Sequence, residues 1–364
     1  MTAGATGRGI IDPVLLLWPM AYKKSSKMQR MPKIEPSAQT LTFLLPALSP
    51  GSSINLYCDL SQSASLVNRR FYRQGLNWAV AGFKILTPGG FLGDVKISKL
   101  PNTWTMSNAW EKSFRAWSRM NNEALAETES VRPRFLDFKI YADSAHHNAG
   151  YAANLLPSSE VFAGSAGVAD PGEWEASKIT QPRTDGTAGV QERELIAVGA
   201  NYPGASAASG FNAVSLIEGY AASRALPNIL DPNTPLDAAS VDGNIPANWM
   251  ASMFNEGTEQ TETVIEDMIS ENNLAPYPFE NDGVNFDTMY PGGANQLTGL
   301  QVHDIEFITG STIGGTTRLK GGNFPCGLIK FSFTATTEAP VAFLQINLIP
   351  GSHRGYLCEP MTEM

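Results

Sequence analysis

The sequence predicts a β-rich fold of antiparallel sheet with long loop insertions and one or two short helices. Three observations point there. Short runs alternate apolar and polar residues with a period of two. The last of these runs follow one another through Gly-, Pro- and Thr-rich turns too short for a helical crossover, which favours antiparallel pairing. Finally, 17 Phe, 10 Tyr and 7 Trp supply enough bulky apolar surface to bury a core, so a disordered chain is disfavoured.

Residues 10–18 (IIDPVLLLW) form the only early apolar run, and Asp12 and Pro13 interrupt it. It is a poor signal peptide and too short to span a bilayer, so it reads as a segment packed on protein. The stretch 22–33 (YKKSSKMQRMPK) is basic, contains no acid and has no amphipathic stripe, which suggests an extended arm over residues 1–37. Strand signals follow across 39–60 and 76–99. In INLYCDL, for example, Ile54, Leu56, Cys58 and Leu60 share one face. FLDFKIY (135–141) sets Leu136, Phe138 and Ile140 against Asp137, Lys139 and Tyr141. Late in the chain 302–309, 326–334 and 341–349 are three more strand candidates. Between the first two of these, GSTIGGTTRLKGG (310–322) reads as a flexible hairpin or surface loop. It is not a phosphate loop, because Lys320 follows Leu319 and Gly321 follows the lysine.

Two helices are expected. Trp110, Phe114 and Trp117 recur at i, i+4 and i+7 over 107–120, which makes them the core face of one helix. Val264, Ile265, Met268 and Ile269 stripe a second, with Thr261 as its cap. The rest of 144–300 is rich in Gly, Pro, Ala, Asn and Asp, and reads as long acidic loops or a small projection within a domain spanning 38–364.

Charge is distributed unevenly about the net of −9. Residues 13–93 hold nine Lys/Arg against Glu35 and Asp59, whereas 225–317 hold fourteen acids and no Lys or Arg. Such a bipolar chain can present a basic face to a polyanion and an acidic face to solvent. The basic candidates for nucleic-acid contact are Lys23, Lys24, Lys27, Arg30 and Lys33 in the arm, with Arg69, Arg70 and Arg73 beside Phe71 and Tyr72. Guanidinium groups pair with phosphates and aromatic rings can stack on unpaired bases, but Phe71 and Tyr72 read first as core residues of a charged connection.

Catalytic and metal signatures are missing from the sequence. Cys58, Cys326 and Cys358 are odd in number and widely spaced, so they read as free thiols. His146, His147, His303 and His353 fit no metal-ligand spacing or triad. The acids at 231–237 and 280–287 do not fit an EF-hand. The chain is therefore expected to be no enzyme, and to need no cofactor, no metal and no membrane.

Read together, NRRFYRQGLNWAVAGFKIL (68–86), VKISKLPNTWTMSNAWEKSFRAWSRM (95–120), RPRFLDFKIYAD (132–143) and LIPGSHRGYLCEPM (348–361) resemble the capsid proteins of small circular single-stranded DNA viruses that encode a rolling-circle replication initiator. The resemblance covers roughly the first 150 residues and the last 60. It implies a single jelly-roll sandwich that self-assembles with itself into a small icosahedral (T=1) shell of on the order of sixty copies. It further implies a virion location, sequence-independent contact with enclosed single-stranded DNA and an unknown host receptor. The alternative from a different class is a β-sandwich carbohydrate-binding module or glycoside hydrolase. It would use Trp104, Trp174 or Trp249 as platforms and acid pairs such as Glu173/Glu175 or Asp282/Asp287.

Overall fold

The structure, a computed structural model, describes residues 37–126, 134–158, 167–182, 189–203, 212–224, 299–310, 315–338 and 341–364. The chain divides into Met1–Ile34 and Glu35–Met364, and every described residue belongs to the second unit. In chain order that unit begins with β1 (Thr40–Leu45), β2 (Ser53–Asp59), α1 (Leu60–Asn68), β3 (Leu76–Leu86), β4 (Gly93–Lys99) and α2 (Trp104–Ala126). Its middle holds α3 (Ser144–Ala149), β5 (Lys178–Pro182), β6 (Val190–Ile196), β7 (Ala213–Ser215) and α4 (Leu216–Arg224). It ends with β8 (Gln301–Ile308), β9 (Thr316–Phe324), β10 (Leu328–Ala335), β11 (Ala342–Leu348), β12 (Pro350–Gly351), β13 (Gly355–Tyr356) and β14 (Cys358–Pro360).

Strands from the two ends of the chain interleave in two antiparallel sheets. One runs β1–β11–β3, with β9 and β14 both pairing β3; the other runs β2–β10–β4–β8. The period-two pattern sends Leu41, Phe43, Phe83, Ile85, Leu344 and Ile346 of the first sheet into the same cluster as Val95, Ile97, Ile329 and Phe331 of the second. Full burial of each such side chain stabilises by about 1.5–3 kcal/mol. Near its middle β3 carries a bulge, where Asn347 and Leu348 face Gly82 and Val80. Gly321 of β9 crosses β3 at that level so closely that a Cβ would lie 2.1 Å from the Val80 carbonyl oxygen. Only glycine permits that approach.

A second core lies beyond these sheets. Trp110 and Trp117 of α2 are buried with Phe138, Leu195, Leu216 and Leu328, and Phe114 packs on the cluster partly buried. The layer is completed by α4 and a three-stranded sheet in which β5 and β6 are antiparallel and β6 and β7 parallel.

The all-β expectation is thereby corrected. Among the described residues the fold is mixed α/β, with four helices and four separate sheets, and not a single jelly-roll sandwich. Three helices were not anticipated. In α1 the cause is local, because Asp59 ends β2 and accepts from the Ser61 and Gln62 N–H groups, turning the chain directly into a helix. The strand expected at 135–143 is also corrected. Its N–H groups go to Gln74 Oε1 (from Ile140), Ser177 Oγ (from Lys139) and the Leu195 carbonyl (from Tyr141), and no ladder forms. Conversely, the expected loop at 310–322 is mostly strand: β9 pairs with β3 from Thr316 to Phe324. The N-terminal arm, the helix at 261–272 and most of the acidic stretch lie outside the described residues, although Asp304 and Glu306 of that stretch sit on β8.

Candidate nucleic-acid interface

The segment joining α1 to β3 builds the centre of the site. Arg69 closes α1 in the left-handed region (φ 53°), with its N–H on the Ser65 carbonyl. Tyr72 then drops into the core, where its N–H meets Ser65 Oγ at 2.9 Å and its hydroxyl donates to the Arg354 carbonyl at 3.0 Å. With Tyr72 and Gln74 turned inward, the intervening Phe71 and Arg73 are left towards solvent.

Asp59 holds this segment to its neighbours. Fully buried, it accepts from Gln74 Nε2 at 2.9 Å and Trp174 Nε1 at 3.0 Å, besides capping α1. Burial pushes its carboxyl up to about 6, against the pull of these four donors. Gln74 extends the network to the Ile140 carbonyl and the Tyr151 hydroxyl. Beside it, neutral His146 accepts the Ala142 N–H at Nδ1 and so donates from Nε2 to Asn154 Oδ1, and burial lowers its pKa to about 4. Because the indole N–H of Trp174 is pinned inward on Asp59, the ring itself is held at the surface, half-buried.

Three aromatic rings gather over this network. Phe71 lies 5.2 Å from Phe135 and 6.1 Å from Trp174, and Phe135 is 60% exposed. Each ring carries its own cation, with Arg73 5.5 Å from the Phe71 centroid, Arg134 5.6 Å from Phe135 and Lys139 4.8 Å from Trp174. Arg73 also donates to the Leu136 carbonyl and pairs with Asp137 at 3.8 Å, while Arg354 donates to the Phe71 carbonyl. Asp137 is turned inward, with 5% of its side chain exposed, and burial raises its pKa. The exposed charges around the rings are therefore Arg69, Arg73, Arg134 and Arg354, opposed by Glu173 and Glu175 on the two sides of Trp174. Next to this surface opens a cleft of ≈ 520 Å³, lined among others by Arg73, Trp110, Phe114, Trp117, Arg134 and His353.

Of the basic residues singled out in sequence, Arg73 lies on this surface and Arg69 is exposed at the end of α1, two residues before Phe71. Arg70 is half-buried between them, and Lys23, Lys24, Lys27, Arg30 and Lys33 lie outside the described residues. Tyr72 belongs to the core and only Phe71 is available to a partner. Phe135, Arg134, Lys139 and Arg354 were not picked out. The RPRF run had offered a signal, since it repeats the Arg–aromatic pattern of NRRFYR, but nothing local says that the two runs meet. Among the described residues no group of three or more His, Cys, Asp or Glu side chains is placed to hold a metal ion.

Comparison with protein-family models, curated proteins and solved structures finds no match to this chain. The capsid reading is accordingly corrected: the mixed α/β architecture is not the single jelly roll the resemblance implies, and no viral relative is found. The icosahedral, T=1 and virus-like-particle expectations fall with it. The carbohydrate alternative shares the β-sandwich premise and is corrected too. Trp104 begins α2 with its ring against Tyr220, Glu173 and Glu175 stand exposed on the flanks of one tryptophan, and Trp249, Asp282 and Asp287 lie outside the described residues.

Proposed function

We propose that this protein binds single-stranded nucleic acid without sequence preference, through the surface formed by Phe71, Phe135 and Trp174 and their cations. The observation that carries the reading is three surface rings, with Phe71 5.2 Å from Phe135 and 6.1 Å from Trp174, each with a cation 4.8–5.6 Å from its centroid. Every base has a π-face, so aromatic platforms tolerate any sequence, while arginines and lysines follow the phosphates. Unpaired strands are favoured over duplex because their bases are free to stack. The exposed Arg73, Arg134 and Arg354, which contact Phe71 or Phe135, supply the phosphate contacts in this reading.

Titration of a fluorescently labelled oligothymidylate tests this reading. The wild type should bind, and Phe135→Ala or Trp174→Ala should each weaken binding by about 1–3 kcal/mol, roughly 5- to 150-fold. Equal affinity for single strand and duplex, or unchanged affinity in both variants, would count against it.

A further inference from the structure

We propose that the outer face of the five-stranded sheet is a second phosphate-binding track, with Lys84, Arg318 and Lys320 as its contacts. The inference rests on the single-strand reading above and extends it to a separate surface.

Register places these residues together. Lys84 of β3 lies directly opposite Arg318 of β9, and Gly82 lies opposite Lys320. Lys84 points away from the core because its neighbours Phe83 and Ile85 point in, and Arg318 and Lys320 flank buried Leu319 in the same way. The same two rows continue across the sheet through Gln345 and Thr42, and through Asn347 and Thr40, all neutral. No carboxylate therefore shares these two rows. Asp304 of β8 accepts from the backbone N–H groups of Lys320 and Ile305, and among the described residues none of the three cationic side chains forms an ion pair with an acid.

Like charges placed directly opposite one another across a ladder destabilise it. Elsewhere among the described residues several lysines and arginines do have an acidic partner: Arg73 has Asp137, Arg115 has Glu111, Arg119 has Glu123, Lys178 has Glu192 and Lys330 has Asp143. This face instead keeps three cations on neutral polar ground, an arrangement that an anionic partner would relieve. Arg318 and Lys320, two residues apart on one strand, stand roughly 6.5 Å from each other along the sheet, a spacing suited to a chain of phosphates rather than to one small anion. β3 links the two surfaces. Leu76 lines the aromatic cleft, and Lys84 lies further along the same strand by roughly 25 Å. The occupant we assign is the phosphodiester backbone of the strand whose bases engage Phe71, Phe135 and Trp174.

The test compares the wild type, the triple variant Lys84→Gln/Arg318→Gln/Lys320→Gln and the platform variant Phe135→Ala, each titrated with oligothymidylates of about 6 and about 30 nucleotides over a range of salt. In the triple variant the slope of log affinity against log salt for the long oligonucleotide should fall by about 2, three contacts at roughly 0.7 each, with the short oligonucleotide unaffected. An unchanged slope for the long oligonucleotide, with Phe135→Ala still weakening both, would overturn the track and leave the aromatic surface standing. Failure of the wild type to bind either oligonucleotide would overturn both.

Discussion

Two buried residues with opposite acid–base behaviour lie under the aromatic surface. His146 is held neutral, with Nδ1 accepting a backbone N–H that protonation would confront with a second hydrogen. Its pKa is depressed to about 4, so it contributes stability present above about pH 6.5 and lost as pH falls through about 4. Asp59 is raised to about 6, so its contribution is complete below about pH 4 and lost as pH rises through about 6. Between those limits the two groups offset each other. Asp59→Asn should therefore gain stability more steeply than the wild type as pH is raised from about 4 to 6, measured by chemical denaturation. At neutral pH the same variant should be less stable by about 1–3 kcal/mol, because its amide nitrogen meets the donors of Gln74 or Trp174. A variant whose pH slope matches that of the wild type would show that Asp59 does not titrate in this window. None of this was legible in sequence. INLYCDL gives Asp59 as one polar residue in an alternating run, and its four donors come from the next turn, from Gln74 and from Trp174.

Among the elements, β1, β2, β3, β4, β10, β11 and α2 could be read from periodicity because each has one face packed on a core, whereas β8 was read as a strand although its Val302, Ile305 and Phe307 are exposed. Other elements without such a face could not. β9 is Thr- and Gly-rich, with Leu319 and Phe324 as its large apolar anchors, yet it lies along most of β3 because Gly321 tolerates the close crossing at the bulge. Gly321→Ala should lower thermal stability by more than a typical surface substitution, since the obstacle is backbone at 2.1 Å and cannot swing aside. A Tm equal to that of the wild type would remove this account of the bulge. On α2, Trp117→Ala should cost about 3–5 kcal/mol, because Trp117 fills the second core against Phe138 at 5.3 Å. A loss below about 1 kcal/mol in denaturant unfolding would place that helix face wrongly. Alternation misled at 135–141 for the converse reason: Phe138 and Ile140 are buried on one side, but the Lys139 and Ile140 N–H groups go to side chains where a neighbouring strand would have taken them.

At the scale of the whole molecule, the proposed binding surface is assembled from four distant stretches: 69–75, 134–139, Trp174 and Arg354. Composition had located positive charge near the beginning of the chain, and NRRFYR proved to border the surface. Its aromatic partners come from tertiary contacts that no local pattern encodes. The most direct measurement of the central claim is photo-crosslinking to bromouracil-substituted single-stranded DNA, followed by peptide mass spectrometry. Crosslinks should map to Phe71, Phe135 and Trp174 and should be lost to excess unlabelled single strand. Crosslinks confined to peptides that contain none of these three rings, or no specific crosslinks at all, would contradict the account.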